Sequence, residues 1–288
     1  MKKFLLATAA VLASTSAYAA DYAVVHPFYT PAQGKFLSTT ALNYEHASMK
    51  AKDFDAKRRA SDIAVSEELK FGVTDDIQVG VFVARDWEKM KEKDALDPFP
   101  REANREFTNT LGFGVGYNII NDGKAFLNAA LEYRREFTRD GNEFVDDDEH
   151  DRYVKLGVTG GYDLGEVTVF GSVAYDRQID SEKELNVPGF FVEHEYKEKL
   201  YTLEAGVFKA FNDQISARTS LEINIDKTKQ DKERTYTWKV GTDYSISKTM
   251  AVGLTAAYML DNDVNNHPEG DVDVHRQYNL GIDFKIAF

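Results

Sequence analysis

Tyr278-Asn279-Leu280-Gly281-Ile282-Asp283-Phe284-Lys285-Ile286-Ala287-Phe288 alternates without a break. Tyr278, Leu280, Ile282, Phe284, Ile286 and Phe288 are apolar or aromatic, and every residue between them is small or polar. Successive side chains of a strand point to opposite faces, so this segment reads as a strand with one greasy face and one wet face.

Period two dominates the sequence upstream as well. Twelve strands are predicted. The first covers roughly 35–49, and the second 62–73 with Ile63, Val65, Leu69 and Phe71 on one face. Later strands carry outward rows such as Leu111, Phe113, Val115 and Tyr117, or Val167, Val169, Val173 and Tyr175. Tight turns fall at Thr74-Asp75-Asp76, Asn121-Asp122-Gly123, Leu164-Gly165, Asn212-Asp213 and Ser247-Lys248. Longer, charge-rich connections are expected near 50–57, 88–104, 139–150, 178–193, 226–234 and 261–274. An even strand number with five short turns at one end and six longer loops at the other is the arrangement of an antiparallel transmembrane β-barrel.

The beginning of the chain agrees. Lys2 and Lys3, the apolar run from Phe4 to Ala13, and Ala17-Tyr18-Ala19 form a secretory leader with a small-residue cleavage site. Residues 1–20 are therefore expected to be removed, leaving a segment over 21–34 and a barrel over 35–288. The segment carries Pro27 and Pro31 and does not read as a strand; it is either a periplasmic lead-in or tucked into the lumen. No later stretch has the roughly 20 apolar residues of a spanning helix. Strands closed into a barrel are the remaining way to satisfy the backbone in lipid.

Composition excludes several function classes. There is no cysteine, hence no disulfide framework, thiolate metal site or cysteine nucleophile. The formal net charge is −13, which argues against nucleic acid, whose phosphates require clustered Lys and Arg.

The closing strand with its C-terminal phenylalanine resembles that of Gram-negative outer-membrane β-barrel proteins, porins among them. The resemblance implies the bacterial outer membrane as location. It also implies outer-membrane lipid and lipopolysaccharide as surroundings and the barrel-assembly machinery as a partner. The size of the chain points to a monomer. The stretch Pro31-Ala32-Gln33-Gly34-Lys35-Phe36, followed by Leu69-Lys70-Phe71-Gly72-Val73-Thr74-Asp75-Asp76-Ile77-Gln78-Val79-Gly80, is similar to the opening of transporter-like barrels associated with aromatic-compound degradation. It covers about a fifth of the chain and carries over no binding residue.

With the apolar rows facing lipid, the intervening residues face the lumen. Glu132, Arg134, Lys155, Arg218, Glu222, Lys239 and Asp243 are the candidate lumen-lining residues. Two readings stand. The charges line an open channel and tune its selectivity, or they pair across strands and fill a small barrel. Inward Gly112, Gly114, Gly116, Gly157 and Gly161 favour open space, or give room to Phe126, Phe170 and Phe208 or to a folded-in segment.

Catalytic patterns are thin. His46 and Ser48 have a spacing similar to the histidine–serine pair of the outer-membrane phospholipase family, without that family's glycine-rich and asparagine context. His150-Asp151 after Asp146-Asp147-Asp148-Glu149 is superficially similar to the acids of the outer-membrane aspartyl proteases. The acidic run lacks the spacing and glycine of a calcium loop. No catalytic residue, metal or cofactor is assigned. The expected function is porin-like passive diffusion of small solutes. The alternatives are a closed barrel acting through acidic outer loops and, third, a rim hydrolase.

Overall fold

The computed structural model describes residues 24–51, 57–93, 101–140, 148–184, 197–227, 232–265 and 272–288. Twelve strands follow one another: β1 (Phe36–Ala51), β2 (Lys57–Gly72), β3 (Ile77–Lys93), β4 (Arg101–Asn121), β5 (Ala125–Asp140), β6 (Asp148–Asp163), β7 (Thr168–Glu184), β8 (Lys199–Ala210), β9 (Ile215–Lys227), β10 (Lys232–Ser247), β11 (Met250–Asn265) and β12 (Val272–Ala287). Each pairs antiparallel with its sequence neighbours, and β1 pairs with β12, so the sheet is a closed barrel. Closure leaves no edge and satisfies the backbone of every strand within the wall.

All five predicted tight turns are present, between β2 and β3, β4 and β5, β6 and β7, β8 and β9, and β10 and β11. Their chemistry is local. Gly123 and Gly165 adopt φ of 85° and 93°, and the Asp122 carboxylate accepts hydrogen bonds from the backbone of Lys124 and Ala125. These backbone donors hold the Asp122 carboxyl below its ordinary pKa.

The strands run farther than the sequence reading placed them. Residues 88–93, 101–104 and 148–150, expected in outer connections, are strand. The apolar rows end before the strands do. Beyond the lipid the ladder needs only a backbone partner, so alternation of charge replaces alternation of hydropathy.

Facing follows the pleat. Val81, Leu111, Leu131, Val173, Leu221 and Leu280 are each more than half exposed, and their neighbours along the strand point inward. Such a surface would be unstable in water and suits a lipid band. One exception interrupts it. Glu67 shares the outward face of β2 and is held by the hydroxyls of Ser38 and Thr40 on β1.

Candidate functional site

The interior begins with the segment ahead of β1. Val24, Val25, His26, Phe28, Thr30 and Pro31 are buried, so this stretch lies inside the short-turn end of the barrel. Phe28 stacks on Phe126 of β5 with ring centroids 4.7 Å apart, and His26 meets the Phe208 ring edge-on at 5.3 Å. Phe170 packs against both groups. Backbone contacts anchor the segment: Val24 N donates to Lys248 O at 3.3 Å, and Gly34 N to Gly72 O at 2.8 Å. Asn118 Nδ2 reaches Thr30 Oγ1 at 3.3 Å.

Of the two positions left open from sequence, the lumen is the one adopted. The glycines then acquire a reason. A Cβ at Gly161 would clash with the Phe28 ring, one at Gly112 with Phe82, and one at Gly116 with Gln78. Gly161, Gly112 and Gly116 thus seat large side chains, whereas Gly114 and Gly157 have no such neighbour and border the smaller described cavity. Burial holds the His26 imidazole down to a pKa of about 4, against a smaller opposing pull from Asp163.

Above this floor the wall is polar. A cavity of about 160 Å³ is bounded by Pro27, Phe28, Phe170 and by Arg218, Glu222 and Lys239 of β9 and β10. A second, of about 70 Å³, lies against Glu68, Lys70, Glu132 and Lys155. Five of the seven sequence candidates thus border a cavity. Arg134 and Asp243 are buried and border neither; each belongs to an ion cluster.

Arg134 is 3% exposed and bonds Glu136 Oε1 at 2.7 Å and the Asp176 carboxylate, with its guanidinium 4.2 Å from the centroid of the Tyr153 ring. Lys285 bridges Asp243 at 3.3 Å and Asp283 at 3.2 Å. A Cβ at Gly253 would collide with both carboxylates, so glycine makes room for this cluster. Lys239 pairs with Glu222, whose other oxygen accepts Asn224 Nδ2 at 2.8 Å. Asp176 was not among the candidates, although its parity on β7 marks it as inward.

Toward the long-connection end the balance of charge disappears. Glu45, Asp62, Glu88 and Glu106 stand directly opposite one another on β1, β2, β3 and β4. Asp86 projects from the same face of β3 as Glu88. Gln277 Nε2 donates to Glu45 Oε1 at 2.6 Å. Four carboxylates in line across four strands repel, so the row costs stability that the wall supplies from elsewhere.

The catalytic patterns do not assemble. His46 faces outward, and its Nδ1 lies 3.1 Å from Ser61 Oγ, not from Ser48. The Asp146–Asp147 part of the acidic run lies outside the described residues. Among the described residues no group of three His, Asp or Glu is arranged to hold a metal ion.

A family model described as Gram-negative porin matches residues 74–265, from the first tight turn to the end of β11. Among solved structures, the chain is similar to an outer-membrane channel from Pseudomonas putida F1, with 12% identity, TM-score 0.59, and 95% of this chain and 100% of that one covered. It is also similar to the translocator domain of the autotransporter NalP from Neisseria meningitidis, at 11% identity and TM-score 0.58 over 88% of each chain. At such identities the likeness concerns the fold alone. Comparison with curated protein sequences gives no match.

Proposed function

This chain belongs to the Gram-negative porin family of the bacterial outer membrane, and we propose that it is a channel for diffusion of small hydrophilic solutes, with a preference for cations. The observation that carries the preference is the row Glu45, Asp62, Glu88 and Glu106 on adjacent strands at the outer end of the lumen. Charged rings at a constriction set ion selectivity, and a low-dielectric wall focuses their field. Deeper in, Arg134, Lys155, Lys239 and Lys285 are matched by acids and leave little net field. No covalent chemistry or cofactor enters this reading.

The test is a salt-gradient reversal potential for the refolded mature chain in a planar bilayer. Wild type is expected to favour the cation. Glu45→Gln with Asp62→Asn and Glu88→Gln should bring the potential close to zero. An unchanged potential would remove the acidic row from the mechanism.

A second reading has one observation in its favour: the buried segment around His26 and Phe28 occupies the short-turn end of the lumen. A barrel closed there permanently would act through its outer surface instead. A correctly folded barrel that stays silent in the bilayer, even with residues 21–31 removed, would favour that reading.

A further inference from the structure

Acids and bases adjacent in sequence are sorted by the pleat. Asp151-Arg152 on β6, Asp176-Arg177 on β7, Asp226-Lys227 on β9 and Lys232-Glu233 on β10 each place, by strand parity, the acid on the lumen face and the base on the outward face. Asp176 is buried, and Asp226 and Glu233 border the larger described cavity. Arg177 shares its face with Val173 and Tyr175, and Lys227 with Leu221 and Ile225. The outward bases also line up across strands. Arg177 is opposite Lys199, Lys199 opposite Lys227, and Lys227 opposite Lys232. Arg135 stands opposite Arg152, but Arg152 is already paired with Asp180 at 3.0 Å, so the row of interest is that of β7 to β10.

The height of this row is informative. On β7 the outward face starts at Val169, and Arg177 follows roughly 26 Å along the strand at about 3.3 Å per residue, which for a strand tilted by about 40° is a rise of about 20 Å. That carries Arg177 toward the far edge of the ~25 Å apolar band of such barrels. Tyr175 and Tyr201 pack together with centroids 5.0 Å apart one step below the row, and Lys227 Nζ lies 5.2 Å from the Tyr201 centroid. Tyrosines of this kind mark the interface, so the bases just beyond them sit at the level of lipid headgroups. The side is that of the long connections, which is the outer leaflet. Like charges directly opposed across strands repel, and a row of them is stable when anions lie between.

From this we infer that the outward face of β7 to β10 binds the phosphate groups of an outer-leaflet glycolipid, that is, of lipopolysaccharide. Arg177, Lys199, Lys227 and Lys232 form the phosphate-binding row, and Tyr175 and Tyr201 lie along the sugar–acyl boundary. Lys and Arg near a membrane surface each add to the attraction for anionic headgroups, and the effect is screened by salt.

The experiment uses the full mature barrel in detergent micelles and fluorescently labelled lipopolysaccharide, phosphorylated or enzymatically dephosphorylated, read by anisotropy. Heat-modifiable gel mobility reports folding. Arg177→Gln with Lys199→Gln and Lys227→Gln should weaken binding of the phosphorylated form roughly ten- to hundredfold. The dephosphorylated form should bind weakly to both proteins. Lys124→Gln with Lys209→Gln and Lys248→Gln, at the opposite end, should bind like wild type, and so should Lys199→Arg with Lys227→Arg. Equal binding by wild type and the first variant would overturn the assignment. So would equal binding of the two lipid forms, or an affinity indifferent to salt. Should the first variant fail to fold, the lipid-form and salt comparisons on wild type decide alone.

Discussion

Phe28 lies almost flat on Phe126, with ring centroids 4.7 Å apart and planes 11° from parallel. The contact joins a segment outside the sheet to the inner face of β5, and it is completed by Gly161 on β6, where any side chain would strike the Phe28 ring. A buried aromatic pair is a strong local anchor. Here it adds to the hydrogen bonds at Val24, Thr30 and Gly34 that tie the segment to the wall.

The segment occupies the short-turn end of the lumen. Phe28→Ala should leave the barrel folded, because no strand hydrogen bond involves it, and should raise single-channel conductance or open frequency severalfold. Gly161→Leu should act in the same direction by expelling the ring. Conductance equal to wild type in both variants, in barrels with normal heat-modifiable mobility, would mean that the current does not pass this end.

Acid should loosen the same segment. The His26 pKa is lowered from 6.5 to about 4 by burial. The neutral form is the one that packs, so the stabilisation is complete above about pH 6.5 and is lost as pH falls toward 4. A shift of this size corresponds to roughly 3 kcal/mol at the acid end. Open probability should rise between pH 6.5 and 4 in wild type. His26→Phe, which keeps a ring between Phe126 and Phe208, should abolish that rise.

Alternation made the barrel legible, since a membrane strand must show its two faces in every second residue. Leu111-Gly112-Phe113-Gly114-Val115 can be read no other way. The placement of the 24–31 segment was not legible, because non-repetitive chain has no period to read. A signal existed nonetheless. Phe126, Phe170 and Phe208 point inward near the short-turn end, and apolar rings facing a polar lumen require a cover. Individual lumen residues were legible by parity, but their grouping was not. Arg134 on β5 reaches across β6 to Asp176 on β7, a partnership that depends on the register of three strands and not on spacing along the sequence. Strand ends were missed for a different reason, since charge alternation beyond the lipid looks like loop composition.

Arg134 offers a test of the paired wall. It is nearly inaccessible and faces Glu136 and Asp176 at hydrogen-bond distance, with Glu132 at 4.0 Å. Arg134→Ala leaves those carboxylates without their shared cation, a change that typically costs about 3–5 kcal/mol. The urea midpoint of the refolded barrel should fall accordingly. Arg134→Met combined with Glu136→Leu and Asp176→Leu should recover most of the loss, since an apolar replacement of a buried ion cluster is often close to neutral. A triple variant as unstable as Arg134→Ala would indicate that Arg134 works mainly through its contact with Tyr153.

The seam between first and last strands depends on both backbone and rings. Phe36 N donates to Phe288 O at 2.8 Å and Phe288 N to Phe36 O at 3.0 Å, so one residue pair exchanges both hydrogen bonds. The two rings stack outside with centroids 5.5 Å apart, and Phe71 extends the group at 4.8 Å from Phe36. Phe288→Ala keeps the backbone bonds and loses the stack, which is worth about 0.5–1.5 kcal/mol. Deletion of Phe288 removes both. The substitution should therefore lower the unfolding midpoint slightly, and the deletion should lower it further and slow refolding into lipid vesicles. A double-mutant cycle with Phe36→Ala isolates the ring contribution. If Phe288→Ala and the deletion are equally destabilising, the ring accounts for the whole contribution of Phe288 to the seam and its two terminal hydrogen bonds contribute nothing measurable beyond the β1–β12 ladder.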